Sequence, residues 1–115
     1  MSRDNQTMPP AQALSLPTLV TPTEGGIASR VLAKTTGGNV TLFAFDAGQG
    51  LEEHTSPFDA LVIVLDGALV LTIGGVAVRA TPGTVVRMPG GVPHALEAPD
   101  ATRMLLIMLR DVKAA

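Results

Sequence analysis

The sequence predicts an all-β domain, a sandwich or barrel of short strands, and three observations carry that prediction. From residue 26 onward, apolar runs of about five to eight residues recur, each closed by Gly, Pro or Asp. No helical segment is needed between any two of them. Aromatic residues are 3% of a chain that is 46% hydrophobic, so the core must be aliphatic, built from Val, Leu, Ile, Ala and Met.

Residues 1–25 hold Pro9, Pro10, Pro17 and Pro22 and show no clear period. They read as an N-terminal arm, partly disordered or packed on a sheet edge, ahead of a single domain over residues 26–115. Eight runs follow: "ASRVLAKT", "NVTLFAF", "ALVIVLD", "ALVLTI", "VAVRAT", "TVVRM", "HALEA" and "RMLLIMLR". "TIGGVAV" is a two-residue hairpin, because paired glycines accept the positive φ angles of a type I′ turn. "DGAL" and "TPGT" are further turns, with Pro82 presetting φ at a corner. "NVTLFAF", "LVIVL" and "MLLIML" are apolar on both faces, so each needs a second covering layer from another sheet, the arm or a partner subunit. A homodimer is the economical source of that layer. "RMLLIMLR" suits helix or strand by composition, and its brevity and all-strand surroundings favour a strand.

A formal net charge of −2 gives no basic footprint, which excludes nucleic acid and anionic membrane as expected partners. The chain has no cysteine, hence no disulfide, thiolate metal site or cysteine nucleophile. The N-terminus shows no apolar signal-type segment, and no stretch approaches the ~18 apolar residues of a membrane span, so the expected location is the cytoplasm. The Gly-Gly pairs lack a P-loop lysine and a following helix. No Ser-His-Asp order or paired-carboxylate pattern stands out.

The two histidines carry what functional signal there is. "GQGLEEHTSPFDALVIVLDG" runs Gly48, five residues, His54, then a strand ending at Gly67; "GTVVRMPGGVPHALEA" runs Gly83, five residues, Pro89, Gly91 and His94. Pro89 and Pro93 fix φ on either side of two glycines, so the turn is stiff and aims His94.

These two stretches resemble the paired motifs of the cupin family, and the resemblance extends from about Val31 to Arg110. It implies a double-stranded β-helix, a jelly-roll barrel of two sheets, in a small single-domain, RmlC-like cupin. Such proteins are usually dimeric, with the ligand site in the barrel mouth. Metal-binding members place two His and a Glu in the first motif and one His in the second. By that correspondence His54 and His94 are retained, while the other two positions fall on Ser56 and Ala60. The first metal motif is therefore degenerate, and two imidazoles with water make a weak site unless another oxygen joins. Glu52, Glu53 and Asp59 are the nearby carboxylates. Strand alternation turns Asp59 outward if Ala60 points in, whereas Glu53, placed before the strand, is free to fold toward the mouth.

Two functional readings follow from the resemblance. In the first, the barrel binds a small molecule around His54 and His94, with Ser56, Phe43, Met88 and Met108 as further lining residues and a divalent transition metal (Zn, Fe, Mn or Ni) weakly held or absent. In the second, it is a metal-dependent oxygenase or isomerase-like enzyme acting on a small organic substrate. Met104 and Phe45 lie on the same strands as the expected lining, although alternation lets only some of these side chains face the cavity. Methionine adapts its shape and gives a tolerant apolar wall.

Overall fold

The computed structural model describes residues 7–111. It contains nine strands: β1 Ile27–Thr35, β2 Gly38–Phe45, β3 Gly50–His54, β4 Asp59–Asp66, β5 Leu69–Ile73, β6 Val76–Ala80, β7 Val85–Met88, β8 His94–Glu97 and β9 Thr102–Leu109. They form two antiparallel sheets, one ordered β1-β2-β9-β4-β7 and the other β3-β8-β5-β6. Eight of the strands coincide within a residue or two with the apolar runs, including the ambiguous "RMLLIMLR", which is β9 at the centre of the larger sheet. Gly74 and Gly75, at φ 56° and 83°, close the β5–β6 hairpin.

The ninth strand, β3, is one that apolar patterning does not reveal. Its sequence GLEEH is largely exposed, and it is an edge strand paired only with β8. Glu53 therefore lies within a strand, not ahead of one, and it is exposed.

The strands that are apolar on both faces are central in the larger sheet. Inward from it, Val62, Val64 and Met104 join Phe45, Leu69, Leu71 and Leu96 in the main core. Outward, Leu42, Ala44, Leu65 and Leu105 form a second cluster with Leu32. The N-terminal segment covers part of that outer face through Met8, Leu16, Leu19 and Val20, with a short 3-10 turn at Leu16–Thr18. Its entry is tied to the edge strand by the Met8 N–H, which donates to the Leu32 carbonyl at 3.0 Å. Residues 1–6 of the expected arm lie outside the described residues.

Candidate ligand-binding site

Strand pairing brings the two histidines together. β3 and β8 are antiparallel neighbours, and His54 stands opposite His94 in register. Their ring centroids are 4.4 Å apart at an interplanar angle of 67°, an edge-on pair. Simple alternation would put Leu51 and His54, three residues apart, on opposite faces. The irregularity in register between them removes that conflict, so both side chains line the same cavity.

Each ring is held in the same way. Nδ1 of His54 bonds the Glu52 carbonyl and Nδ1 of His94 bonds the Val92 carbonyl, both at 3.0 Å. A carbonyl oxygen only accepts, so in each un-ionised ring Nδ1 carries the proton and Nε2 keeps its lone pair. No hydrogen bond from the described residues takes either Nε2. His94 is 5% exposed, yet its Nε2 is not among the sealed, unpartnered nitrogens; that description applies to Nε of Arg103 alone among the described residues. His54 is exposed and forms the rim.

The turn before His94 is stitched to the segment before β4. Gly91, at φ 81°, donates its N–H to the Ser56 carbonyl at 2.8 Å, and the Gly90 N–H donates to Oδ1 of Asp59 at 2.8 Å. Gly90 must be glycine, since a Cβ there would sit 2.6 Å from the Pro57 carbonyl oxygen. Asp59 faces away from the cavity, as alternation requires, and its other oxygen pairs with Arg87 at 3.0 Å. The Gly90 amide, and after it the Arg87 guanidinium, hold the Asp59 carboxyl below the ordinary carboxylate range. From sequence, Asp59 is only a carboxylate that alternation turns outward; here it anchors the histidine loop.

The cavity between the sheets has a volume of about 80 Å³. Its polar groups are His54, His94 and Ser56; Leu51, Phe58, Leu96, Met88, Met104 and Met108 supply most of its apolar wall, with Ala60 and Leu106. Ala60 is flanked in register by Met88 on β7 and Met108 on β9. The Ser56 hydroxyl accepts the Phe58 N–H at 3.2 Å. Outside the wall, the Arg110 guanidinium lies 4.5 Å from the Phe58 ring centroid. Phe43 is not part of the lining: it lies on β2, beyond β9 from β4, and stacks on Phe45 at 5.9 Å. Leu51, Phe58, Leu96 and Leu106 are lining residues that spacing did not single out. Larger hollows, about 480 Å³ beside Phe58 and Arg110 and about 330 Å³ over Glu52, Val70 and Ala95, are open grooves without converging histidines.

This donor set does not fit the four-ligand metal centre that the paired motifs imply. Ser56 offers a hydroxyl and Ala60 nothing, Glu52 and Glu53 are exposed outside the cavity, and Asp59 is engaged with Gly90 and Arg87. No group of three or more His, Cys, Asp and Glu poised for a metal occurs among the described residues.

Residues 41–109 match the family described as Cupin domain (Cupin_2). The chain belongs to the cupin family. This cupin superposes on a conserved protein of unknown function from Streptococcus pyogenes with a TM-score of 0.86 at 34% identity, covering 92% of this chain and 93% of that one. A cupin superfamily protein from Desulfitobacterium hafniense gives 0.84 at 28% identity, covering 90% and 95%. KdgF from Halomonas sp. gives 0.68 at 25% identity, covering 80% and 86%. No curated protein matches the cupin by sequence. No helix among the described residues is long and apolar enough to cross a membrane.

Proposed function

We propose that this cupin is a cytoplasmic small-molecule-binding protein whose ligand inserts an apolar body among Met88, Met108 and Leu96 and presents its polar end to His54 and His94. The observation that carries the reading is the matched pair of imidazoles, each fixed through Nδ1 with Nε2 left unpartnered at the mouth of an apolar cavity. A lone pair on Nε2 selects a hydrogen-bond donor, which points to hydroxyl compounds, phenols and other weak acids in their protonated form. Among the described residues, no lysine or arginine lines the cavity to neutralise an anion.

The alternative, a metal-dependent oxygenase or isomerase-like enzyme, needs two further ligands that Ser56 and Ala60 do not supply. Zn, Fe, Mn or Ni held by two imidazoles alone would be weakly bound. Protein purified without chelator should therefore contain none of these metals in stoichiometric amount by elemental analysis; one full equivalent, lost on His94→Ala, would favour the enzyme reading. The binding reading is tested by NMR titration with phenol and a panel of small alcohols and weak acids. Signals of the two imidazoles and of the cavity methyl groups should move together and stop moving in His94→Ala. Perturbation confined to the outer grooves, or none anywhere, would refute it.

The larger sheet's outer face, where Ile63 and Ile107 are half-buried and Val85 is exposed, supports a homodimer as the assembly.

A further inference from the structure

The cavity is smaller than the ligands its histidines suit. It offers about 80 Å³, whereas a benzene-sized ring fills a cavity of about 150 Å³. A phenol therefore enters only if part of the wall gives way, and the wall is uneven in its freedom to do so. Among the described residues, every apolar lining side chain but one stands on a strand, on β3, β4, β7, β8 or β9. Phe58 is the exception. It lies half-buried in the connection between β3 and β4, and it also lines the outer groove of about 480 Å³, together with Pro57, Leu109 and Arg110.

The backbone beside Phe58 is pinned, but its ring is held by little. The Phe58 N–H donates to the Ser56 hydroxyl, the Ser56 carbonyl accepts from Gly91, and Asp59 is tied to Gly90 and Arg87. The ring can leave the wall by rotation about its own side-chain bonds, with no strand disturbed. On the groove side it meets the Arg110 guanidinium, 4.5 Å from the ring centroid. Arg110 is exposed and makes no ion pair with the described residues. A cation–π contact at an exposed site is weak, so the closed wall is only lightly favoured.

We propose that Phe58 is a gate between the cavity and the outer groove, latched by Arg110, and that it selects an elongated phenol. The ligand's hydroxyl meets His54 and His94, its ring fills the enlarged cavity, and an apolar para substituent runs out along Pro57 and Leu109. That substituent is uncharged, because Asp59 and Asp111 border the groove and oppose an acidic one. The inference rests on the reading of this cavity as a binding site and deepens it by naming the ligand's shape and the residue that selects it. A gate that is mostly shut lowers affinity by the fraction of molecules that are open, so weakening the latch should strengthen binding.

The test is an NMR titration with phenol and with 4-propylphenol, on protein labelled in its phenylalanine rings and arginine side chains. Both compounds should move the imidazole, Phe58 ring and Arg110 Nε–H signals together. The rings of Phe43 and Phe45, stacked on each other outside the lining, serve as controls. 4-Propylphenol should bind about tenfold or more tighter than phenol, because its extra methylenes are buried in the groove. Its methyl group should show nuclear Overhauser contacts to Pro57 and Leu109. Arg110→Gln should tighten both ligands by about two- to fivefold, the loss of one exposed cation–π contact. In a Phe58→Ala background the same Arg110 change should have no effect.

Imidazoles that respond to phenol while Phe58 and Arg110 stay still would overturn the gate and leave the binding reading standing. So would unchanged or weaker binding in Arg110→Gln, or 4-propylphenol binding no tighter than phenol. Imidazoles that respond to neither compound would overturn both.

Discussion

His94 carries more of the site than His54, because it is buried and its loop is fixed at several points, whereas His54 sits on an edge strand open to solvent. His94→Ala should therefore abolish the phenol response, and His54→Ala should weaken it. Asp59 supports His94 at a distance, and its effect has a defined pH window. Its folded-state pKa lies below the ordinary aspartate value, held there by the Gly90 amide and the Arg87 guanidinium, so its contribution to stability is fully present above the unfolded value and fades as pH falls through the folded one. Wild type and Asp59→Asn should accordingly differ in thermal midpoint near neutrality and converge in strong acid. A carboxyl titration by NMR should place Asp59 below 3.8, moving upward in Arg87→Ala. In the core, Leu71 is fully buried, and Leu71→Ala should cost about 2–5 kcal/mol in urea denaturation.

Strand β3 shows why a site can be harder to read than a fold. Eight strands were legible because their apolar residues recur and their turns are spelled by Gly, Pro and Asp. β3 is not, since Glu52 and Glu53 face solvent and only Leu51 marks its inner side. The same strand contains the register irregularity that lets Leu51 and His54 share a face, which strict alternation forbids. Because β3 does not read as a strand, Glu53 reads as lying ahead of one and free to fold toward the cavity, where it does not go. Phe43 was misplaced by a related uncertainty, because apolar strands such as β2 do not say which strand borders the cavity. Gly50 holds β3 close to β8; a Cβ there would collide with the Leu96 carbonyl oxygen. Gly50→Ala should speed amide exchange across β3 and weaken phenol binding, while exchange in the β5–β6 hairpin stays as in wild type.

The whole molecule has to cover a sheet that is apolar on both sides. Its inner face packs against the smaller sheet, and the described residues of the N-terminal segment cover the part of the outer face around Leu42, Ala44 and Leu105. The remaining outer patch accounts for the two-faced apolar strands read from sequence, and a second copy of the chain would cover it. Light scattering should give a mass of about twice 11.8 kDa, and Ile63→Lys should shift it toward the monomer without unfolding the barrel.

One measurement bears most directly on the meeting of two prepared imidazoles in an apolar cavity: long-range ¹H–¹⁵N NMR of the chain's two histidines, without and with phenol. Both rings should show the proton on Nδ1, and both Nε2 signals should move when phenol is added. A proton on Nε2 of either ring, or two rings that ignore the ligand, would contradict the account.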